Sequence, residues 1–415
     1  ADIQNGLDSF TATLTPTVSG TLANAPLTFE WDFGDGQQIV KTATLDSITH
    51  TFTYPDVPYG EKVVTLTVKA GDNAVDSFSR TFILAPSRVY ATKSNPNAQY
   101  PYATPETAAS GIQTAIDAAY EGSEVIILPN TYTYNSGSAT IKVYRNITLR
   151  GETGNFNDVV IDVNRRCRAM LITARNAVVR DITISNGTGG NNIQSSGGAG
   201  VRMQGGELRN CRITRNYSSD GVFATGVWCD NGKVINCLFD YNYNRGGHMS
   251  GLGVQAMGLS ALVDGCVFTN NNSAGFYSWS QFRVGVITAL DATVRNCFIA
   301  HNNFGHASAV SSGYVGVGIF AEAAIIENCT VVSNRFTSQA SEFVNASAGV
   351  CGHSGAVFIN NVVEDNYSPS GLNNYRFNST VSITNCATKP IDTLTGSGLI
   401  TAAEGDYIAI PGKPL

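Results

Sequence analysis

Asn236-Cys237-Leu238-Phe239-Asp240-Tyr241-Asn242 is the stretch whose reading decides the fold. An Asn-Cys pair opens it, and a second Asn follows the cysteine by five residues. The phrase recurs at Asn210-Cys211 with Asn216, at Asn296-Cys297 with Asn302 and at Asn328-Cys329 with Asn334. Gly265-Cys266 with Asn271 and Asn360-Asn361 with Asn366 are variants, and Asn385-Cys386 is a partial last copy. From Cys211 to Cys329 the copies start 26, 29, 31 and 32 residues apart, and a Gly-Val or Gly-Ile step precedes each. Units this short cannot bury a hydrophobic face alone and must stack on their neighbours. Within Val227-Trp228-Cys229 and Cys237-Leu238-Phe239 the first and third residues share one face of a strand. Helical spacing is missing, and the frequent Gly, Asn, Thr and Val disfavour helix-pair repeats. Short strands joined by Asn and Gly turns at this interval make the coils of a parallel β-helix. Cys211, Cys237, Cys266, Cys297 and Cys329 then form an inward ladder with a step of about 4.8 Å. Asn216, Asn242, Asn271, Asn302 and Asn334 form a second ladder at a turn, where their amides bond to the coils on either side.

At 415 residues the chain is long enough for two domains. A net charge of −6 with 14% charged residues leaves no basic footprint, which argues against nucleic acid. No apolar run is long enough to span a membrane. Nine cysteines in a secreted chain would ordinarily suggest disulfides. Here their spacing places five in one stack as small buried hydrophobes, so thiols are expected. No CxxC or Cys/His cluster points to zinc, and no metal is expected. The opening Ala1-Asp2-Ile3 suits a mature chain from which a signal has been removed.

Residues 1–86 have a different texture, with alternation in Thr11-Ala12-Thr13-Leu14 and in Val63-Val64-Thr65-Leu66-Thr67-Val68. This pattern reads as a small β-sandwich. Phe29-Glu30-Trp31-Asp32-Phe33-Gly34-Asp35-Gly36, with His50-Thr51-Phe52-Thr53-Tyr54, resembles the polycystic-kidney-disease (PKD) domain, an Ig-like sandwich. Phe52 stands where that family usually has Tyr. The resemblance implies an extracellular spacer or binding module without catalysis of its own. Asp32 and Asp35 are expected to hold the turn by bonding its N–H groups rather than to bind calcium. Residues 87–104 read as a linker. A helix is expected over 107–121, with Ile112, Ala115, Ile116 and Ala119 on one face and Gly122 as its stop. The run Gly111 to Ala119, followed by Val125-Ile126-Ile127-Leu128-Pro129-Asn130-Thr131-Tyr132, resembles the opening of the pectate-lyase-like right-handed β-helix superfamily. That resemblance implies a helix capping the first coil. The expected architecture is therefore all-β: a sandwich over 1–86, then a right-handed parallel β-helix over 105–415 with its cap helix and coils over about 124–390. The segment 405–414 resembles the closing phrase of extracellular β-helix proteins and breaks off within it, so the chain is expected to be a portion of a larger secreted or surface protein.

Coil length varies only between the Asn ladder and the next Gly-Val step, so the loops 217–225, 243–252, 272–284, 303–317 and 335–348 project from one side. Loops on a rigid scaffold commonly carry function. Aromatics follow the ladder Asn at Tyr217, Tyr243, Phe304, Phe336 and Tyr367, and the one long loop 272–284 adds Phe276, Tyr277, Trp279 and Phe282. An exposed stripe of Tyr243, Trp279, Phe282 and Phe304 would stack on the sugars of an extended polysaccharide, whereas a buried one would pack the loops. The catalytic candidates are Tyr243, Arg245, His248, Arg283 and His306. A lyase needs a base for the proton α to a uronate carboxylate and a cation for the resulting charge. A glycoside hydrolase needs two facing carboxylates, which the scattered Asp residues do not supply in sequence. Calcium would need converging carboxylates, and no such cluster is present, so no cofactor is expected. The reading leans to an extracellular structural or adhesive module of the cell surface that binds polysaccharide or matrix components or self-associates into filaments. A polysaccharide lyase or glycoside hydrolase is the alternative.

Overall fold

A computed structural model describes residues 4–17, 26–135, 141–189, 197–218, 224–245, 250–277, 283–308, 314–337, 346–369, 371–377 and 379–389. In the N-terminal domain a five-stranded sheet runs in the order Gln4–Leu7, Asn73–Ala85, Gly60–Ala70, Leu27–Asp32, Val40–Thr42. A two-stranded sheet, Ser9–Leu14 with Ile48–Thr53, completes it. Alternation puts Phe29, Trp31, Phe52, Val64 and Phe82 into one core. The Asp32 carboxylate accepts from Gly34 N–H at 2.9 Å, and Asp35 accepts from Gln37 N–H at 3.1 Å and faces His50 Nε2 at 2.7 Å.

The linker expected at 87–104 is not one. Arg88–Thr92 pairs in parallel with Glu124–Ile127 and is the first strand of the second domain's longest sheet. The segment is apolar at alternate positions, with Val89 and Ala91 fully buried, and the pattern is short enough to pass for loop. The helix is also shorter than expected, Ile112–Ala118. Ala109–Ser110 is drawn into the sheet beside Ala91–Thr92, Gly111 turns the chain at φ 117°, and Ala119 is already extended. Its buried face, Ile112, Ala115, Ile116 and Ala118, covers the first coil, which closes off apolar side chains that would otherwise meet water. No described helix is long and apolar enough to cross a membrane.

The remaining described residues form a parallel β-helix built from sheets of 12, 10, 10 and seven strands. One coil shows the plan: Val227–Asp230, Lys233–Ile235, Leu238–Asp240 and Tyr243–Asn244 each belong to a different sheet. Three corners separate them, and each is made by one residue in the left-handed region: Asn231 (φ 54°), Asn236 (φ 51°) and Tyr241 (φ 53°). Asn and Gly tolerate that conformation best, which is why Asn210, Asn236, Gly265, Asn296, Asn328 and Asn360 precede the inward residue of their coils. Cys211, Cys237, Cys266, Cys297 and Cys329 follow that corner and are no more than 3% exposed. All nine cysteines are free thiols. Burial pushes the Cys211, Cys266 and Cys329 thiols well up and keeps them protonated. Behind them Phe239 and Phe268 stack with centroids 4.5 Å apart.

The next corner carries the asparagines. Asn216, Asn242, Asn271, Asn302 and Asn334 are fully buried. Each side-chain Nδ2 donates to the Oδ1 of the next, at 3.0, 2.9, 2.9, 2.9 and 3.0 Å from Asn216 through to Asn366. The same Oδ1 also accepts the main-chain N–H of the preceding Asn. Asn366 passes the chain to Asn374, only eight residues on, at 3.1 Å.

Candidate functional site

A short strand follows each ladder Asn, and strand alternation divides its residues between two faces. Tyr217, Tyr243, Asn272, Asn303, Arg335 and Tyr367 stand in register as one outward row. Ser218, Asn244, Ser273, Phe304 and Phe336 come one residue later and turn inward, all buried. Phe304 is therefore not a surface ring but core, with no exposure. The sequence reading merged aromatics one and two residues past the Asn into a single stripe, and a period of two places them on opposite faces. The Tyr217 and Tyr243 rings lie 6.0 Å apart at 24°, and the Arg165 guanidinium sits 5.0 Å from the Tyr217 ring. Further along, Asn303 Nδ2 donates to Asn272 Oδ1 at 3.1 Å. The row ends at a shallow depression of about 420 Å³ lined by Arg335, Phe336, Thr337, Tyr367, Ser368 and Pro369.

Beside the row the long loops of adjacent coils pair with one another. Asn272–Tyr277 runs parallel to Asn303–Ser308, and Arg283–Leu290 to Tyr314–Glu322. The returning arms fold over their own strands at glycines: a Cβ on Gly285 would fall 2.4 Å from the Ile287 carbonyl oxygen. This folding brings Arg283 to Glu322, with Nη2 donating to Oε1 at 2.8 Å. His353 Nδ1 lies 3.7 Å from the same oxygen, and the Tyr314 and His353 rings are 4.5 Å apart. Arg283, Glu322 and His353 come from three successive coils, and the ion pair ties the returning arm to the helix body.

The residues expected to act together are only partly brought together. Tyr243 is outward and half-buried in the row, and Arg245 follows it, exposed, with its N–H donating to the Ser218 carbonyl at 2.9 Å. Arg283 belongs to the separate Glu322 cluster. His248, Trp279 and Phe282 lie outside the described residues, as does the side chain of His306 on its strand. Asp240, adjacent in sequence to these candidates, is held by Arg212 through Nη2–Oδ2 at 2.6 Å and Nε–Oδ1 at 3.1 Å, and is 5% exposed. A salt bridge of that geometry positions the coil rather than a reactant. Glu322, His353, Tyr314 and Arg335 escaped the sequence reading, because residues 30 apart in loops of unequal length offer no spacing to read. Among the described residues no three His, Cys, Asp or Glu side chains gather as a metal site.

Residues 5–84 match the PKD domain family. No curated protein matches the sequence. Among solved structures the chain is similar to a pectate lyase, Pel9A, at 15% identity over 74% of this chain and 79% of that one, with a TM-score of 0.43. A rhamnogalacturonan lyase aligns at 14% identity over 67% and 74%, with a TM-score of 0.36. A pectin methylesterase from Aspergillus niger aligns at 15% identity over 77% and 92%, with a TM-score of 0.33. The strand pairing of the chain itself establishes the solenoid. The N-terminal domain is thus a member of the PKD family, and it continues directly into a parallel β-helix.

Proposed function

We propose that the chain is an extracellular, non-enzymatic module that binds an extended polysaccharide along the outward row. One observation carries this reading: Tyr217 and Tyr243 present neighbouring rings in register, with polar residues Asn272, Asn303 and Arg335 continuing the line. Coils advance by about 4.8 Å, a step close to that of one sugar in an extended chain. Tyr offers a flat apolar face with a polar tip, which suits a pyranose ring and its hydroxyls. Each stacked sugar contributes only about 1 kcal/mol, so affinity depends on occupying several rungs at once. An N-terminal PKD domain accords with an extracellular setting, in which the rod would hold surface or matrix glycans.

Affinity electrophoresis against a panel of neutral and uronate polysaccharides tests the reading. Tyr243→Ala should weaken retention several-fold while leaving the thermal midpoint within a few degrees. Equal retention of the variant, or no retention of the wild type by any polysaccharide, would remove the row from function. A catalytic reading retains the Arg283–Glu322–His353 cluster as its one support, since an acid, a base and a cation converge there. The same panel separates it: new unsaturated or reducing ends would mark an enzyme and displace the binding-only reading.

A further inference from the structure

The N-terminal sandwich leaves one sheet edge open. Asn73–Ala85 is a 13-residue strand, and on its outer side Gln4–Leu7 pairs with Phe82–Ala85 alone. Among the described residues no strand pairs with residues 73–81 on that side. Asp8 N–H donates to the Ala85 carbonyl at 2.8 Å, so Ala85 directs its peptide groups to this edge. Strand alternation gives Thr81, Ser79 and Ser77 the same direction. Ser77 N–H accordingly bonds to the Asp76 carboxylate, at 2.8 Å, and not to a neighbouring strand. Asp76, Phe78 and Arg80 stand on the core side of the sheet, opposite Val68, Leu66 and Val64. The covering strands stop short of Phe78: the Phe10 ring packs on Phe82 with centroids 5.2 Å apart, whereas Phe78 is 69% exposed. The Arg80 guanidinium lies 5.2 Å from the Phe82 ring centre and has no ion pair among the described residues. A long edge with an uncovered aromatic beside it is a template for another strand.

We infer that this edge recognises itself: two copies of the chain pair antiparallel through it, about a two-fold axis at Phe78. Ser77, Ser79 and Thr81 turn their peptide groups outward, so they must face residues of the partner that do the same. Among the registers this allows, the axis at Phe78 sets Asp76 opposite the partner's Arg80, and Arg80 opposite the partner's Asp76. An axis at Ser77 would set Phe78 against the partner's Asp76, and one at Ser79 would set it against the partner's Arg80. Both ion pairs are lost in either case. With the axis at Phe78, Ser77 and the partner's Ser79 exchange backbone bonds, and the Asp76 carboxylate trades Ser77 N–H for a guanidinium. The two Phe78 rings meet at the axis on one face of the joined sheet, with Cα atoms about 4.5 Å apart. A two-fold pairing consumes the edge of both copies, so the product is a closed dimer and not a filament. The inference does not rest on the glycan-binding reading.

Sedimentation velocity of the whole chain over a concentration series tests it. The wild type should pass from monomer to dimer as concentration rises, less readily in high salt. Asp76→Arg and Arg80→Asp should each weaken dimerisation at least tenfold, because every charged cross-strand pair becomes like-charged. An equimolar mixture of the two variants should recover it, since each pair then joins opposite charges again. That recovery also shows that neither variant has lost its fold, which thermal unfolding checks separately. A wild type that stays monomeric at every concentration would overturn the inference, as it would if the chain's own first residues fill the edge. So would a dimer that neither variant weakens, which would lie on another surface, or a mixture that remains as monomeric as its components.

Discussion

Asn271→Ala puts the amide ladder to its most direct test. The Asn271 Oδ1 accepts both the main-chain N–H of Asn242, at 3.0 Å, and its Nδ2, at 2.9 Å. Its own Nδ2 donates to the Phe239 carbonyl and to Asn302 Oδ1, each at 2.9 Å. Alanine removes these four bonds at once, together with the longer one from Nδ2 to the Thr269 carbonyl at 3.3 Å. Asn302 Oδ1 keeps the main-chain N–H of residue 271, and Asn242 Nδ2 keeps the Ile213 carbonyl. Asn242 N–H, one hydrogen on its Nδ2 and the Phe239 carbonyl are then left without these partners in a buried corner. Each orphaned group costs about 1–3 kcal/mol, so the loss should be about 3 kcal/mol or more. Cys297→Ala is the matched control, because its sulfur makes only the weak contacts of a thiol, with the Arg295 and Val263 carbonyls and with the neighbouring ladder cysteines. Deleting that atom should cost about 1 kcal/mol. Urea unfolding of both variants gives the difference, and hydrogen exchange locates it. Protection of the Asn242 amide should collapse while that of Asn334, two coils on, persists, since coils couple to nearest neighbours. If the two substitutions cost the same within 1 kcal/mol, or the Asn242 amide stays protected, the ladder is not what holds this corner.

Tyr241 occupies a left-handed corner and is 52% exposed, so Tyr241→Asn should stabilise by about 1 kcal/mol, read as a higher thermal midpoint. The ladder thiols should resist iodoacetamide in the native chain and all react after unfolding; rapid native labelling of Cys211, Cys266 or Cys329 would contradict their burial. Phe304→Ala should cost about 3–5 kcal/mol in chemical unfolding, as expected of core and not of a ligand contact. Glu124, hydrogen-bonded by Arg150 (Nη2–Oε2 at 3.1 Å), has its carboxyl held below the ordinary 4.5 by that bond. A depressed folded value means stability that is present above pH 4.5 and lost as pH falls through the folded value. Glu124→Gln should therefore narrow the gap in thermal midpoint between pH 7 and pH 3.

The Asn-Cys phrase was readable because it records backbone geometry as well as burial. Its Asn is the corner residue at positive φ, and the cysteine after it is the first to point inward. At the next corner the ladder Asn is equally regular, but the residue before it is Arg215, Tyr241, Asn270, His301 or Ser333, so that turn left no signature of its own. Asn374 completes the amide chain from outside the period. After Asn366 the chain doubles back through Tyr367–Ser368 and Gly371–Leu372, an antiparallel turn the repeat does not anticipate. The outward row was half legible, since the aromatics stand out while their face depends on a one-residue offset. The cluster of Arg283, Glu322 and His353 arises from folded-back arms whose course is set by Gly251, Gly285 and Gly316 rather than by spacing.

The buried amides also give the rod a direction and a unit of length. Every Nδ2 from Asn216 to Asn334 hands one hydrogen to the Asn of the coil that follows, so the side-chain amides all point the same way along the axis. Such a line needs a donor at its start and an acceptor at its finish, and it has both: the Gly187 N–H meets Asn216 Oδ1 at 2.8 Å, and Asn374 Nδ2 meets Thr388 Oγ1 at 3.1 Å. Between those two terminators, a whole coil can be added or removed and every amide still finds its counterpart. A change of a few residues that shifts an Asn from its corner breaks the line in two places. Growth and shrinkage of this protein are therefore quantised in complete turns, and any end-to-end joining that continued the line would have to be head to tail.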